Sequence, residues 1–182
     1  MDDEQIEEFC RINRDLRIEV TASGNLTIRP PAFGRDGNRK AKLIGRIGNW
    51  NDLNGTGVGF DSSTLFVLPK GTRRSPDGSW IRKTRLATLT VGQEDKFLPL
   101  CPDFVIELRT ASDGLNELQA KMREYVANGA QLGWLLDPST RRVYVYRADG
   151  TVEQLNEAES ITGDPLLPGF VLNLRQIWAA DF

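Results

Sequence analysis

The 182-residue chain contains no histidine. That absence removes Ser-His-Asp and Cys-His triads, histidine general bases and histidine-ligated metals from its chemistry. Its two cysteines, Cys10 and Cys101, exclude a disulfide scaffold and a four-cysteine zinc site. Lys and Arg total 23 against 25 Asp and Glu, so no bulk positive charge draws the chain to nucleic acid or an anionic membrane. No apolar run approaches the roughly 18 residues of a membrane span. The start, Met1 to Glu8, carries five acids and no base, the reverse of a signal peptide. These absences predict a reduced, cytoplasmic protein. Any catalysis must run on carboxylates, lysine, tyrosine, hydroxyls or an oxygen-ligated metal.

What is present is ordinary globular composition, 40% hydrophobic and 26% charged. The length predicts one domain over residues 1–182. Asp3 to Leu16 reads as a short helix with acids in its first turn. Leu16 to Val20 alternates apolar and polar, as does Leu26-Thr27-Ile28, which predicts a hairpin across Ser23-Gly24-Asn25. Glu19 then lies on the opposite strand face from Ile18 and Val20. Gly37 to Leu53 reads as a helix with Ala41, Ile44, Ile47 and Trp50 or Asn51 on one side. It carries the bases Arg39, Lys40, Lys42 and Arg46. The segment Gly55 to Phe60 is glycine-rich but lacks the Lys-Ser/Thr of a phosphate loop, so it reads as a tight turn into a strand.

Farther along, Ser79-Trp80-Ile81 is a short strand after Pro76-Asp77-Gly78. Residues 83–99 read as a loop or short helix. Asp103 to Leu108 is a dense β-former run, expected as a buried central strand. Ser112-Asp113 can cap a helix whose stripe is Leu115, Leu118, Met122, Tyr125 and Val126, ended by Asn128-Gly129. Leu132 to Leu136 and Arg142 to Arg147 are further strands, the second turning at Ala148-Asp149-Gly150 into Thr151-Val152-Glu153. Leu166 to Phe170 is expected to pack the tail onto the body.

One residue breaks this pattern. Glu107 sits inside an apolar run, where a lone buried carboxylate is costly and calls for a metal, a base or a proton. Asp77 stands at the start of another strand. Lys121 borders the apolar stripe of the next helix, so its ammonium either reaches the sheet edge or snorkels at the surface. Two carboxylates and a lysine are what metal-dependent phosphodiester hydrolysis uses. Carboxylates hold a hard ion, the ion activates water, and the lysine orients that water or stabilises developing charge. Spacing alone does not choose between this set and a chance grouping of charges.

The motifs resemble a known family. Pro102-Asp103-Phe104-Val105-Ile106-Glu107-Leu108, Lys121-Met122-Arg123-Glu124-Tyr125, Gly133-Trp134-Leu135-Leu136-Asp137-Pro138 and Val143-Tyr144-Val145-Tyr146 are similar to the Uma-two family. So are Ser75-Pro76-Asp77, Arg17-Ile18-Glu19-Val20 followed by Gly24, and Leu167-Pro168-Gly169. The resemblance implies an α/β restriction-endonuclease-like fold of the PD-(D/E)xK superfamily, a mixed β-sheet flanked by helices, with its nuclease core over about residues 55–147. It implies an endonuclease that cuts DNA with Mg²⁺, or Mn²⁺ in its place. Asp77 and Glu107 become the metal ligands, Lys121 the assistant to the attacking water, and Glu19 the acid that completes the site. Arg109 occupies the place where the standard nuclease motif carries its lysine. Arg39, Lys40 and Lys42 are candidate phosphate contacts. A homodimer is expected, since many enzymes that cut both strands pair two sites by twofold symmetry. The rival from another class is a non-catalytic domain of this fold that binds DNA or protein. RNA is a third possible target.

Overall fold

A computed structural model describes residues 3–179. Met1 and Asp2 of the acidic start lie outside them. Helix α1 (Asp3–Ile12) buries Ile6 and leads into an antiparallel hairpin of β1 (Arg17–Val20) and β2 (Leu26–Arg29). The long α2 (Gly34–Asn54) follows and buries Leu43, Ile47 and Trp50. It begins before the expected Gly37, and Ala41 is exposed because the packed stripe runs through Leu43 instead. Gly55 ends it in the left-handed conformation, and the chain turns directly into β3 (Gly57–Asp61) as expected.

Two short strands come next, β4 (Phe66–Val67) and β5 (Arg73–Arg74), then β6 (Gly78–Arg82) and the one-turn α3 (Lys83–Leu86). A strand–helix–strand unit follows, made of β7 (Phe104–Leu108), α4 (Leu115–Ala127) and β8 (Leu132–Asp137). The hairpin of β9 (Arg142–Arg147) and β10 (Val152–Asn156) extends it. The last described elements are β11 (Ser160–Thr162), β12 (Val171–Asn173) and α5 (Arg175–Trp178).

Six strands form the main sheet in the order β10-β9-β8-β7-β6-β3. Within it β7 and β8 are parallel, and the other neighbours are antiparallel. Parallel neighbours need a crossover, and α4 supplies it. One face of the sheet packs Trp80, Phe104, Ile106 and Trp134 against Leu43, Ile47 and Trp50 of α2. The other face packs Ile81, Val105 and Leu135 against Leu118, Met122 and Tyr125 of α4. Burial on both faces is why β7 reads as a continuous apolar run. Strand alternation turns Phe104, Ile106 and Leu108 toward α2, and Val105 and Glu107 toward α4. Helix α4 lies close on β8: a Cβ at Gly133 would stand 2.5 Å from the Met122 Cε. The tail packs as expected, with the Phe170 ring 5.6 Å from Trp50 and 5.8 Å from Trp134.

A smaller sheet, β2-β1-β5-β4, sets the hairpin beside the segment leading to Asp77. The expected cap at Ser112-Asp113 is not what starts α4. Gly114 occupies the cap position, without a side-chain bond. Asp113 instead closes its own loop, accepting from the Thr110 N–H at 2.9 Å and the Thr110 hydroxyl at 2.7 Å. Among the described residues, no helix is long and apolar enough to cross a membrane.

Candidate active site

Residues directly opposite in an antiparallel pair share a face. In the β1–β2 hairpin Arg17 stands opposite Arg29 and Glu19 opposite Thr27. One face therefore presents two arginines and a glutamate, while Ile18 and Val20 bury the other. The second element is the β6–β7 pair. Gly78 is registered with Ile106, so Asp77 and Glu107 each lie one residue farther along. The Asp77 Oδ2 accepts the Leu108 N–H at 2.9 Å, which ties the carboxylate to β7.

The third element is α4, where Lys121 and Tyr125 share a helix face at i and i+4. Lys121 is buried, its Nζ 2.7 Å from Glu19 Oε1 and 2.7 Å from Glu107 Oε1. The Tyr125 hydroxyl donates to the same Glu107 oxygen at 2.9 Å. The structure thus brings Glu19, Glu107 and Lys121 into direct contact. Asp77 adjoins them just before β6, and all four are buried. Burial rules out the snorkelling alternative for Lys121.

The acids differ in electrostatic state. Burial is the largest influence on Glu107 and raises its pKa; the charges of Asp77 and Glu19 add to the rise, while Lys121 opposes it. Burial also works against ionisation of Glu19, yet Lys121, Arg29 and the Ser75 N–H hold it below the ordinary value. Asp77 is held low against its burial by Lys40, Arg17 and the Leu108 N–H. Tyr125 is driven well above its usual value by burial and by the neighbouring Glu107, so its phenol remains a donor.

The basic residues sort differently from expectation. Lys40 enters the site, 2.9 Å from Asp77 Oδ1. Arg39 instead donates to the Ile177 carbonyl and Lys42 to the Gln176 carbonyl, which fastens α5 to α2. Arg109 is bound to Asp137 at 2.7 Å, on the side of β7 toward β8. Sequence reasoning missed Arg17, Arg29, Arg74 and the polar use of Tyr125. Arg17 and Arg29 alternate with apolar residues on their strands, as Glu19 does, and that shared parity is the signal they carried. Arg74 pairs with Glu124 at 2.5 Å and Glu19 at 3.4 Å.

The donor chemistry fits a hard divalent ion. Mg²⁺ takes oxygen ligands and is commonly held by one or two carboxylates, with water and phosphate completing its shell. Asp77 and Glu107 are such a pair; burial raises the Glu107 pKa most, and Asp77 and Glu19 add a like-charge repulsion that a cation would relieve. Among the described residues, no group of three or more Asp, Glu or Cys side chains is arranged to hold an ion. The fit therefore rests on the pair. Two clefts flank the site. A cleft of about 650 Å³ touches Glu19 and Lys121, and one of about 60 Å³ touches Asp77 and Lys40. Arg29 and Asp113, joined at 2.8 Å, line both.

A six-stranded mixed sheet between helices, with acids and a lysine meeting beside its interior strands β6 and β7, is the restriction-endonuclease-like α/β fold. A crystal structure from Anabaena variabilis ATCC 29413, described as a "putative nuclease belonging to DUF820", has this fold: TM-score 0.76, 18% identity, and 90% of each chain covered. The Uma2 family, described as "Putative restriction endonuclease", matches residues 3–175, and the chain belongs to that family. No curated protein matches it.

Proposed function

We propose that this chain is a Mg²⁺-dependent endonuclease that hydrolyses DNA phosphodiester bonds, with Mn²⁺ able to replace Mg²⁺. The observation that carries the reading is the Lys121 ammonium held between Glu19 and Glu107, with Asp77 just before the adjoining strand. Asp77 and Glu107 would hold the ion, which when bound polarises the phosphate and lowers the pKa of its water. Tyr125 and Lys121 fix Glu107 through Oε1, which leaves Oε2 for that role. Glu19, itself held by the Ser75 N–H at 3.0 Å, keeps Lys121 in place. From there the ammonium orients the attacking water or stabilises charge on the phosphoryl oxygens. Of the three bases expected to meet phosphate, Lys40 is the one this reading keeps at the site. A single restriction-endonuclease-like domain over residues 1–182, acting as a twofold homodimer, belongs to the same reading. Light scattering tests the dimer.

A second reading, a non-catalytic domain of this fold that binds DNA or protein, has its own observation. The acids Glu19, Asp77, Glu107, Asp113 and Glu124 are all ion-paired, with Arg17, Arg29, Lys40, Arg74 and Lys121 as partners. Five charges balance five without an added ion. Nicking of supercoiled plasmid with and without Mg²⁺ separates the two readings. Metal-dependent nicking supports the enzyme; retention of DNA without any cutting supports the binder.

A further inference from the structure

The hairpin face at the site carries a cost that the ion pairs do not explain. Arg17 and Arg29 stand directly opposite each other on β1 and β2. Like charges so placed repel, and the Asp77 and Asp113 carboxylates paired with them offset that repulsion. Each arginine also has a buried Nε–H that meets no acceptor among the described residues. A buried donor without a partner keeps its full desolvation cost. Three of the terminal guanidinium nitrogens are in use. Arg17 bonds Asp77 at 3.1 Å and the Ser75 carbonyl, and Arg29 bonds Asp113 at 2.8 Å.

Both arginines line the same small cleft of about 60 Å³, together with Lys40, Asp77 and Leu108. The acids along it are already engaged: Asp77 by Arg17 and Lys40, Asp113 by Arg29, and Asp36 by Arg39. An oxyanion between the two guanidinium groups would accept from both Nε–H donors. Phosphate suits this position, because its several oxygens can accept from donors on both guanidinium groups at once.

We propose that Arg17 and Arg29 form a clamp for one phosphate group of a nucleic-acid backbone, with Lys40 as the third cation. The proposal rests on the nuclease reading and adds to it the place where the strand is gripped. The clamp lies against Asp77, so the phosphate it holds is the scissile one or its immediate neighbour. A terminal or free phosphate offers the same oxygens to the same donors, and experiment distinguishes these sources from a backbone diester.

The test is a phosphorus NMR titration of inorganic phosphate into the full chain, in buffer containing a chelator. Arg17→Lys and Arg29→Lys keep the charge and remove the planar fork. The clamp predicts saturable phosphate binding that each variant weakens by about tenfold. Lys42→Met, altered where that lysine meets α5, should bind like the unaltered chain. Circular dichroism establishes that each variant is folded, and a variant that fails to fold is replaced by the second arm on the unaltered chain. That arm displaces bound phosphate with a short DNA oligomer, either lacking terminal phosphates or carrying one at its 5′ end. Displacement by both supports a backbone clamp. Displacement by the phosphorylated oligomer alone, or by neither, overturns it, as does the absence of phosphate binding. Plasmid cleavage that persists without phosphate binding removes the clamp and leaves the nuclease reading. Phosphate binding without cleavage does the reverse.

Discussion

Lys121 places its Nζ 2.7 Å from both Glu19 Oε1 and Glu107 Oε1, and all three side chains are at most 5% exposed. A surface lysine at this position would tolerate Lys121→Met within about 0.5 kcal/mol. The buried bridge predicts a loss of about 3–5 kcal/mol, because two carboxylates then remain buried without their shared cation. Urea unfolding at pH 7 measures this. The deficit should shrink as pH falls, with Glu107 taking up a proton first because its pKa is raised.

Asp77 predicts a pH dependence of the same sign in a lower pH window. Its pKa in the folded chain lies below the ordinary 3.8, held there by Lys40, Arg17 and the Leu108 N–H against its burial. A depressed folded value means that the ionised form stabilises the fold. The contribution is complete above pH 3.8 and is lost as pH falls through the lower folded value. Asp77→Asn should therefore cost about 2 kcal/mol at pH 7. The gap from the unaltered chain should close only below pH 3.8. A gap that closes between pH 5 and 7 would show that Asp77 is not held by these partners.

Much of this site was legible in the sequence, and the illegible part has physical reasons. Glu107 announced itself because an acid inside an apolar strand needs a partner. Glu19 declared its strand face by alternating with Ile18 and Val20. The partners were harder to read, since they come from other elements. Arg29 reaches the acids only because the hairpin pairs it with Arg17, and Arg74 because β5 joins β1. Tyr125 fits an apolar helix stripe, and its hydroxyl gains meaning only once α4 lies on β7. Arg39 and Lys42 read as candidate phosphate contacts because nothing local to α2 reveals that α5 docks there. The strands β11 and β12 are 3 residues each, too short for their alternation to stand out in the sequence.

Metal binding should appear as stabilisation. An ion that binds only the folded chain adds about 2.7 kcal/mol at a hundredfold excess over its Kd. For a chain of this size that raises the melting temperature by roughly 5–10 °C. Millimolar Mn²⁺ should produce such a rise, and Glu107→Gln should remove most of it. The variant itself should fold well without metal. A carboxyl whose folded pKa is raised costs stability once ionised above its ordinary 4.5, and glutamine carries no such charge. Equal melting temperatures with and without Mn²⁺ would count against a metal at Asp77 and Glu107.

Cleavage of supercoiled plasmid by a panel of folded variants tests the central claim most directly. The unaltered chain should cut with Mg²⁺ or Mn²⁺ and not with chelator. Asp77→Asn and Glu107→Gln should lose cutting, and Lys121→Met should slow it by on the order of 10²–10³. Arg109→Met should cut normally, because Arg109 is spent on Asp137 at 2.7 Å. No cutting by the unaltered chain with either metal would contradict the account. So would loss of cutting in Arg109→Met with Lys121→Met unaffected.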